Sequence, residues 1–532
     1  MSVCFLNTVK EQYVNLGKYI SRSAVYYPDY PALIDERKSY TYKELDNRTN
    51  QLAQGLLSLG LHKGDKVAIY AWNRSEIVET EVACFKAGFV RISMNARLST
   101  TEAVHVLNNA EARVVIVDAF HVKSIIENRK ELPRVAHIIG LDGLSDECIA
   151  YEPLLAQSSD AFPEVEVDRD DLAVLSYSSG TTGRLKAVMQ SFENRMAMIL
   201  KATMIPDIRV EPGDIFAHAG PITHVSGMLL MPVMFSGGCN LILNRFDIKI
   251  LLETIERKKV NYIMMVPAMI NMILLHPGLK EYDLSSLKGI FYGAAPMSKA
   301  GIRQAIELFG PILIQGYGMT ETTSFTTILT AKEHINALES GCEDRLESCG
   351  RPVFETEVKV VDEDGKEVSP GQLGEIIVRG ADVMMGYYKE PELTKKVLQS
   401  GWIHSGDIAT RDSDGYIYIK DRKSETIISG GFNVYPSEIE QVLCSHPAVH
   451  EACVIGVPDD TWGETVKAVV ALNKDISASE DELIDFCKQA LAGYKKPRSI
   501  DFVDELPKNP NGKIARRVVK EKYWTNEKRK VH

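Results

Sequence analysis

No apolar stretch reaches the roughly 18 residues that a membrane-spanning helix requires, so no transmembrane segment is expected. No CxxC pair occurs among the nine scattered cysteines, and their odd number forbids complete internal pairing. The pattern reads as reduced thiols in a cytoplasmic protein. Positive charge is not in excess: 61 Lys and Arg face 72 Asp and Glu, a net charge of −11. That balance argues against a nucleic-acid or anionic-membrane binder, and the short run KRK (528–530) reads as a solvated tail. Lys10 and Glu11 come too early for a secretory signal. Internal repeats and low-complexity tracts are missing as well. What remains is an ordinary globular composition, 45% hydrophobic and 25% charged. A chain of 532 residues then makes three or four folding units, or one large multi-lobed enzyme.

The first part of the chain alternates strand and helix. KVAIYA (66–71), FVRIS (89–93) and ARVVIVD (112–118) are continuous apolar runs. Between them, Asn73 with Glu76 and Ser99 with Glu102 have the spacing of capping boxes ahead of helices. Unbroken apolar strands alternating with helices predict a parallel, doubly wound sheet. The rhythm continues through LSY, VNYIMMVP, KGIFYGAA and ILIQGYG. Near residue 350 the pattern becomes alternating, around Asp364-Gly365 and Asp414-Gly415, as in antiparallel hairpins. The last hundred residues predict a small α+β domain, with Ser479 and Glu482 capping the helix DELIDFCKQALAG. The expected architecture is α/β. A large N-terminal domain (1–422) would hold doubly wound sheets and a small β-barrel subdomain at about 350–422. A hinge (423–425) and a small mobile α+β C-terminal domain (426–532) would follow.

YSSGTTGRLKAV (177–188) follows an apolar strand and reads two ways. It suits a flexible surface loop. It equally suits a phosphate cradle, in which accessible backbone N–H groups, hydroxyls and one cation wrap polyphosphate oxygens. GPITHVSG (220–227) places His224 among glycines, and YGAAP (292–296) and QGYGMTET (315–322) end predicted strands, where α/β sheets bind ligands. HSGD (404–407) to DRKSETIISGG (421–431) joins an Asp, an Arg and a Gly-Gly pair, and PKNPNGKIARR (507–517) carries Lys513. Taken singly, each has an ordinary reading: His224 as a structural histidine, Tyr317 as core, Asp407 with Arg422 as a hairpin ion pair, Lys513 as a solvated lysine, Gly430-Gly431 as a turn.

In this order and spacing the stretches resemble the adenylate-forming superfamily of acyl-CoA synthetases, aryl-CoA ligases, amino-acid adenylation domains and luciferases. The resemblance runs from SYTYKEL (39–45) to GKIARR (512–517). It implies an ATP-dependent carboxylic-acid ligase that forms an acyl-adenylate, releases pyrophosphate and passes the acyl group to an acceptor. Ser178, Ser179, Gly180, Thr181, Thr182, Gly183 and Lys186 would form the phosphate loop. Tyr317 would stack on adenine beside Gly293, Ala294 and Ala295. Thr320 would touch the α-phosphate and Glu321 would hold Mg²⁺. Asp407 and Arg422 would take the ribose. Lys513 would bridge the attacking carboxylate and the α-phosphate, and the small domain would swing between half-reactions. Two departures stand out: TGRLKA with Leu185 and Ala187 where the family usually has TGxPKG, and Ser424 at the hinge where Asp or Lys is common.

His224 with Val225, Gly227, Gly316 and Gly318 would line the acyl pocket. The lack of an Asp near His224 argues against an α-amino acid as the activated acid, and glycine at the floor leaves room for a medium-chain, aryl or cyclic acid. Trp462, Tyr494 and Lys496 match positions at which aryl-CoA ligases hold CoA, with Gly430-Gly431 facing the thiol. CoA is the favoured acceptor. A coronafacate-ligase-like transfer to an amino acid, forming an amide, stays open. A non-enzymatic nucleotide-binding protein is the alternative of another class, and the intact Lys186, Glu321, Asp407, Arg422 and Lys513 speak against it.

Overall fold

A computed structural model describes residues 15–142, 147–179, 185–459, 461–474, 476–509 and 513–524. The chain divides into two compact units, 1–358 with 378–404, and 359–377 with 405–532.

The first unit holds two large sheets. In the eight-stranded sheet, Val90–Ser93, Lys66–Tyr70, Val114–Val117 and His137–Gly140 are parallel neighbours. Leu172–Ser179 joins them in parallel, and Leu185–Ser191 and Gly386–Tyr387 continue the sheet antiparallel. The nine-stranded sheet has a parallel centre that includes Ile215–His218, Tyr262–Met265, Gly289–Gly293 and Leu313–Gly318. Phe325–Leu329 then turns back antiparallel. The doubly wound α/β expectation holds. Strands buried on both faces read as unbroken apolar runs, and VVIV (114–117) is buried throughout.

Every residue of the helix Ser75–Ala87 is buried, so its charges need partners. Glu76 meets Arg74, Glu79 meets Arg48, Glu81 meets both Arg91 and Arg195, and Lys86 meets Asp46. The Asn73–Glu76 capping box does not form. Arg74 is the N-cap residue, no side chain caps the helix, and the buried guanidinium of Arg74 takes Glu76 instead. The capping boxes of Ser99–Glu102 and Ser479–Glu482 both form.

In the second unit, Asp407–Arg411 pairs antiparallel with Ile417–Arg422 around the Asp414-Gly415 turn. Val449–Asp459 and Gly463–Leu472 form a long antiparallel pair, with Ser499–Phe502 parallel to the latter. Helices Pro436–Cys444 and Glu480–Ala490 contribute Ile439, Leu443, Leu483 and Cys487 to the core on this sheet. The residues expected at the hinge form a short 3-10 turn, Lys423–Glu425. Among the described residues no helix is long and apolar enough to cross a membrane, and the eight described cysteines are all free thiols.

Candidate active site

The motif residues of the first unit gather at strand ends. Gly293 stands opposite Gly316 in the parallel pair of Gly289–Gly293 with Leu313–Gly318. That register brings Ala294 and Ala295 beside the strand end that carries Tyr317. A Cβ on Gly293 would lie 2.2 Å from the Gly316 carbonyl oxygen, so only glycine lets the two backbones approach so closely. Ala294 has φ +65, a left-handed conformation in which a non-glycine residue is strained, of the kind found at ligand sites.

Thr320 and Glu321 sit on the 3-10 turn Thr320–Thr322 after that strand. Segment 381–387 clamps the turn. The Met384 N–H donates to the Glu321 carbonyl at 2.8 Å, and the Tyr387 hydroxyl donates to Glu321 Oε1 at 2.8 Å. Thr323, strained at φ +57, donates its hydroxyl to the Asp382 carbonyl at 2.7 Å. The Asp382 carboxylate takes Lys201 Nζ at 2.5 Å and the Ser324 hydroxyl at 3.1 Å. Asn194 donates to the carbonyls of Ala381 and Val383, and Gln190 to that of Thr320. Burial raises the Asp382 pKa, while Lys201 and Ser324 pull it back. Sequence reasoning missed Gln190, Asn194, Lys201, Asp382 and Tyr387. The one signal was a buried-type lysine and an aspartate among apolar residues, a pairing visible only once the fold places them.

Lys186 lies on Leu185–Ser191, opposite Ser178, with its ammonium 5.6 Å from the centroid of the Tyr387 ring. Ala187 is 3% exposed on that strand, so its methyl fits where the family commonly has glycine. Gly180, Thr181, Thr182 and Gly183 lie outside the described residues, as does the side chain of Ser179.

His224 precedes the 3-10 turn Val225–Gly227. Burial presses its pKa to about 4, with the Arg91 and Arg97 charges adding to the effect, so the ring is neutral near pH 7. Asn73 anchors this loop: its amide donates to the Gly220 and Leu243 carbonyls, and its oxygen accepts the Ile222 N–H at 3.0 Å. The residue expected to cap a helix instead ties down the His224 loop. A Cβ would meet the Ile222 carbonyl oxygen at 1.9 Å on Gly227, the Phe325 ring at 2.5 Å on Gly316, and the Ser324 carbonyl oxygen at 1.9 Å on Gly318. These positions require glycine because protein fills the space, so the size of the acid is not legible from them.

In the second unit Arg422 stands opposite Asp407, with Nε 2.6 Å from Oδ1. Asp407 is buried while Arg422 reaches solvent. Lys513 N–H donates to Asn509 Oδ1, and the Asn509 N–H donates to the Lys513 carbonyl. The Lys513 residue is exposed, yet desolvation of its ammonium, then the Arg422 charge, lower its pKa, and Asp407 opposes them. The three residues therefore share one neighbourhood.

Gly430 and Gly431 both have positive φ, +57 and +84. The Gly430 N–H donates to the Trp462 carbonyl, and a Cβ on Gly430 would stand 2.4 Å from the Trp462 ring. Trp462 and Tyr494 are 44% and 46% exposed, large for aromatic rings with neighbours to pack on. The Arg498 guanidinium lies 5.3 Å from the Trp462 ring centroid and the Phe432 ring 4.9 Å from that of Tyr494. Phe432 and Arg498 were not singled out in the sequence. Lys496 lies close enough to Cys487 to act on its thiol electrostatically.

Among the described residues there is no cluster of three or more His, Cys, Asp or Glu side chains fit to cage a metal. A single carboxylate, Glu321, beside the Thr320 hydroxyl fits Mg²⁺, which keeps several waters and takes most of its other ligands from nucleotide phosphates.

The family model described as AMP-binding enzyme matches residues 20–388, and that of the AMP-binding enzyme C-terminal domain matches 438–513. A feruloyl-CoA synthase from Amycolatopsis sp is 34% identical over 96% of this chain and 99% of its own. ATP-bound MatB from Rhodopseudomonas palustris superposes with a TM-score of 0.87 at 30% identity, covering 97% of this chain and 100% of that one. The amide bond synthetase McbA from Marinactinospora thermotolerans superposes with a TM-score of 0.85 at 26% identity, covering 96% and 99%.

Proposed function

Because the chain belongs to the AMP-binding enzyme family, we propose that it activates a carboxylic acid with ATP and transfers the acyl group to the thiol of CoA. One observation carries this reading. In each unit the residues to which this reading gives roles lie together, Glu321 clamped by segment 381–387 and Lys513 grouped with Asp407 and Arg422.

In the first step a carboxylate oxygen attacks the α-phosphorus of ATP. The bond to the pyrophosphate oxygen breaks, and an acyl-adenylate remains. The difficulty is bringing two anions together, so catalysis is positioning plus charge stabilisation. Glu321 would hold Mg²⁺, which when bound neutralises phosphate charge, and Thr320 would touch the α-phosphate. Lys513 would bridge the attacking carboxylate and the α-phosphate. Asp407 would accept the ribose hydroxyls, with Arg422 steadying it. Tyr317 would carry adenine, against the backbone of Gly293, Ala294 and Ala295. Ser178 to Lys186 would cradle the phosphates.

In the second step the CoA sulfur attacks the acyl carbonyl, the carbon–oxygen bond to phosphate breaks, AMP departs with the electron pair, and the thiol proton goes to solvent. The exposed aromatics Trp462 and Tyr494, with Lys496, suit the CoA nucleotide, and Gly430-Gly431 the thiol arm. His224, Val225, Gly227, Gly316 and Gly318 would border the acyl group. His224 is neutral there, so it acts by shape and hydrogen bonding. Residues 423–425 would be the hinge between domains 1–422 and 426–532, and the cytoplasm would be the compartment.

A second reading has an amine in place of the thiol, favoured by the likeness to an amide bond synthetase over nearly the whole chain. ATP–pyrophosphate exchange over a panel of carboxylic acids tests the first step. Product mass with CoA, then with amino acids, separates the two acceptors. Exchange with no acid on a broad panel would overturn the reading.

A further inference from the structure

Tyr387 touches both charged groups of the first unit's site. Its hydroxyl donates to Glu321 Oε1 at 2.8 Å, and its ring faces the Lys186 ammonium at 5.6 Å from the centroid. The side chain is itself fixed. It is 8% exposed, and Tyr387 pairs with Val188 on the strand that carries Lys186. Its N–H donates to Thr394 Oγ1 at 2.8 Å, and the neighbouring N–H groups of Met385 and Tyr388 donate to the Met189 and Ala187 carbonyls. Gly386 has φ +140, and a Cβ there would stand 2.7 Å from Thr394 Cγ2, so glycine is what lets the strand come this close. One backbone ladder thus sets Lys186, Tyr387 and, through the hydroxyl, the Glu321 carboxylate.

We infer that Tyr387 is a positioning residue for nucleotide-bound Mg²⁺: it orients the Glu321 carboxylate by occupying Oε1, which leaves Oε2 as the oxygen presented to the ion. A lone carboxylate on a short turn has rotational freedom that a metal ligand must give up on binding. A hydrogen bond from a buried, immobile hydroxyl removes that freedom beforehand. The ring meanwhile gives the Lys186 ammonium an aromatic face to rest on. The inference rests on the adenylation reading of this site.

The test uses the full chain and Tyr387→Phe, which keeps the ring and removes one oxygen. Mn²⁺ binding in the presence of a non-hydrolysable ATP analogue is followed by electron paramagnetic resonance, which needs no turnover. Losing a hydrogen bond to a charged group should weaken Mn²⁺ binding about 10-fold. The Mg²⁺ concentration for half-maximal pyrophosphate exchange should rise by the same factor, with the melting temperature nearly unchanged. In a Glu321→Gln background, Tyr387→Phe should add nothing. A tyrosine that only packs its strand would lower the melting temperature and leave the metal dependence alone. Unchanged Mn²⁺ affinity, or an equal loss in the Glu321→Gln background, would overturn the inference. Should Tyr387→Phe not fold, 3-fluorotyrosine-labelled protein serves. The Tyr387 ¹⁹F resonance should shift on adding Mg²⁺ with the analogue, and should not shift in Glu321→Gln. If the unaltered enzyme exchanges no pyrophosphate, the adenylation reading falls, and Mn²⁺ binding decides the role of Tyr387 separately.

Discussion

Lys201 Nζ lies 2.5 Å from Asp382 Oδ1, and both side chains are buried under the turn that carries Thr320 and Glu321. Breaking a buried pair from one side leaves an unpaired charge and costs about 3–5 kcal/mol. Asp382→Asn should therefore lower the urea midpoint markedly. Lys201→Met combined with Asp382→Leu should recover much of that stability. Adenylation by the double variant should stay about 10-fold slow, because Ser324 has lost its acceptor and the turn its rigidity. Full activity in the double variant would show that the pair serves folding alone.

His334 gives a pH dependence of defined sign. Its Nδ1 donates to the Thr330 carbonyl and its Nε2 accepts from the Tyr292 hydroxyl, each at 2.8 Å, an arrangement that fixes the neutral ring. Burial holds its pKa at about 4, against about 6.5 when unfolded. The unfolded chain takes up the proton first. The stability associated with the neutral ring is present above pH 6.5 and is lost as pH falls toward 4. The loss from this group is on the order of 3 kcal/mol. Urea midpoints between pH 7 and 4.5 should fall less steeply in His334→Gln than in the unaltered protein. Equal slopes would contradict the assignment.

Lys513→Ala should slow pyrophosphate release about 10²–10³-fold. Transfer from a supplied acyl-adenylate should be little affected. Single-turnover measurement of the two steps checks this, and equal losses in both would place Lys513 in a shared role.

Gly430→Ala puts a methyl against the Trp462 ring at a left-handed backbone position, which costs about 1–2 kcal/mol for an L-residue. Trp462 must move, so tryptophan fluorescence should change and the KM for the acceptor should rise about 10-fold. Pyrophosphate exchange should be unchanged. A fall in exchange with a constant acceptor KM would detach Gly430 from the acceptor step.

Much of the fold was legible because buried parallel strands leave unbroken apolar runs, as in VVIV (114–117), and because Ser99 and Ser479 announce their helices. Asn73 misled because a capping box is a local pattern, and the loop carrying His224 outcompeted the helix for its side chain. The motif residues could be named from order and spacing. Their supports could not: Lys201 and Asp382 are 181 residues apart, as are no two members of any sequence motif. The glycines at 227, 316 and 318 read as pocket floor, whereas each is required by a backbone or ring pressed against it, a constraint no spacing reveals.

The central claim is that a carboxylate oxygen attacks the α-phosphorus of ATP. The direct measurement takes the acid selected by the exchange panel, labels its carboxylate with ¹⁸O, and reads AMP by mass spectrometry after one turnover with the acceptor. One carboxylate oxygen stays on phosphorus when the acyl carbon is attacked, so AMP should carry a single ¹⁸O. AMP without label, or label found in inorganic phosphate, would contradict the account.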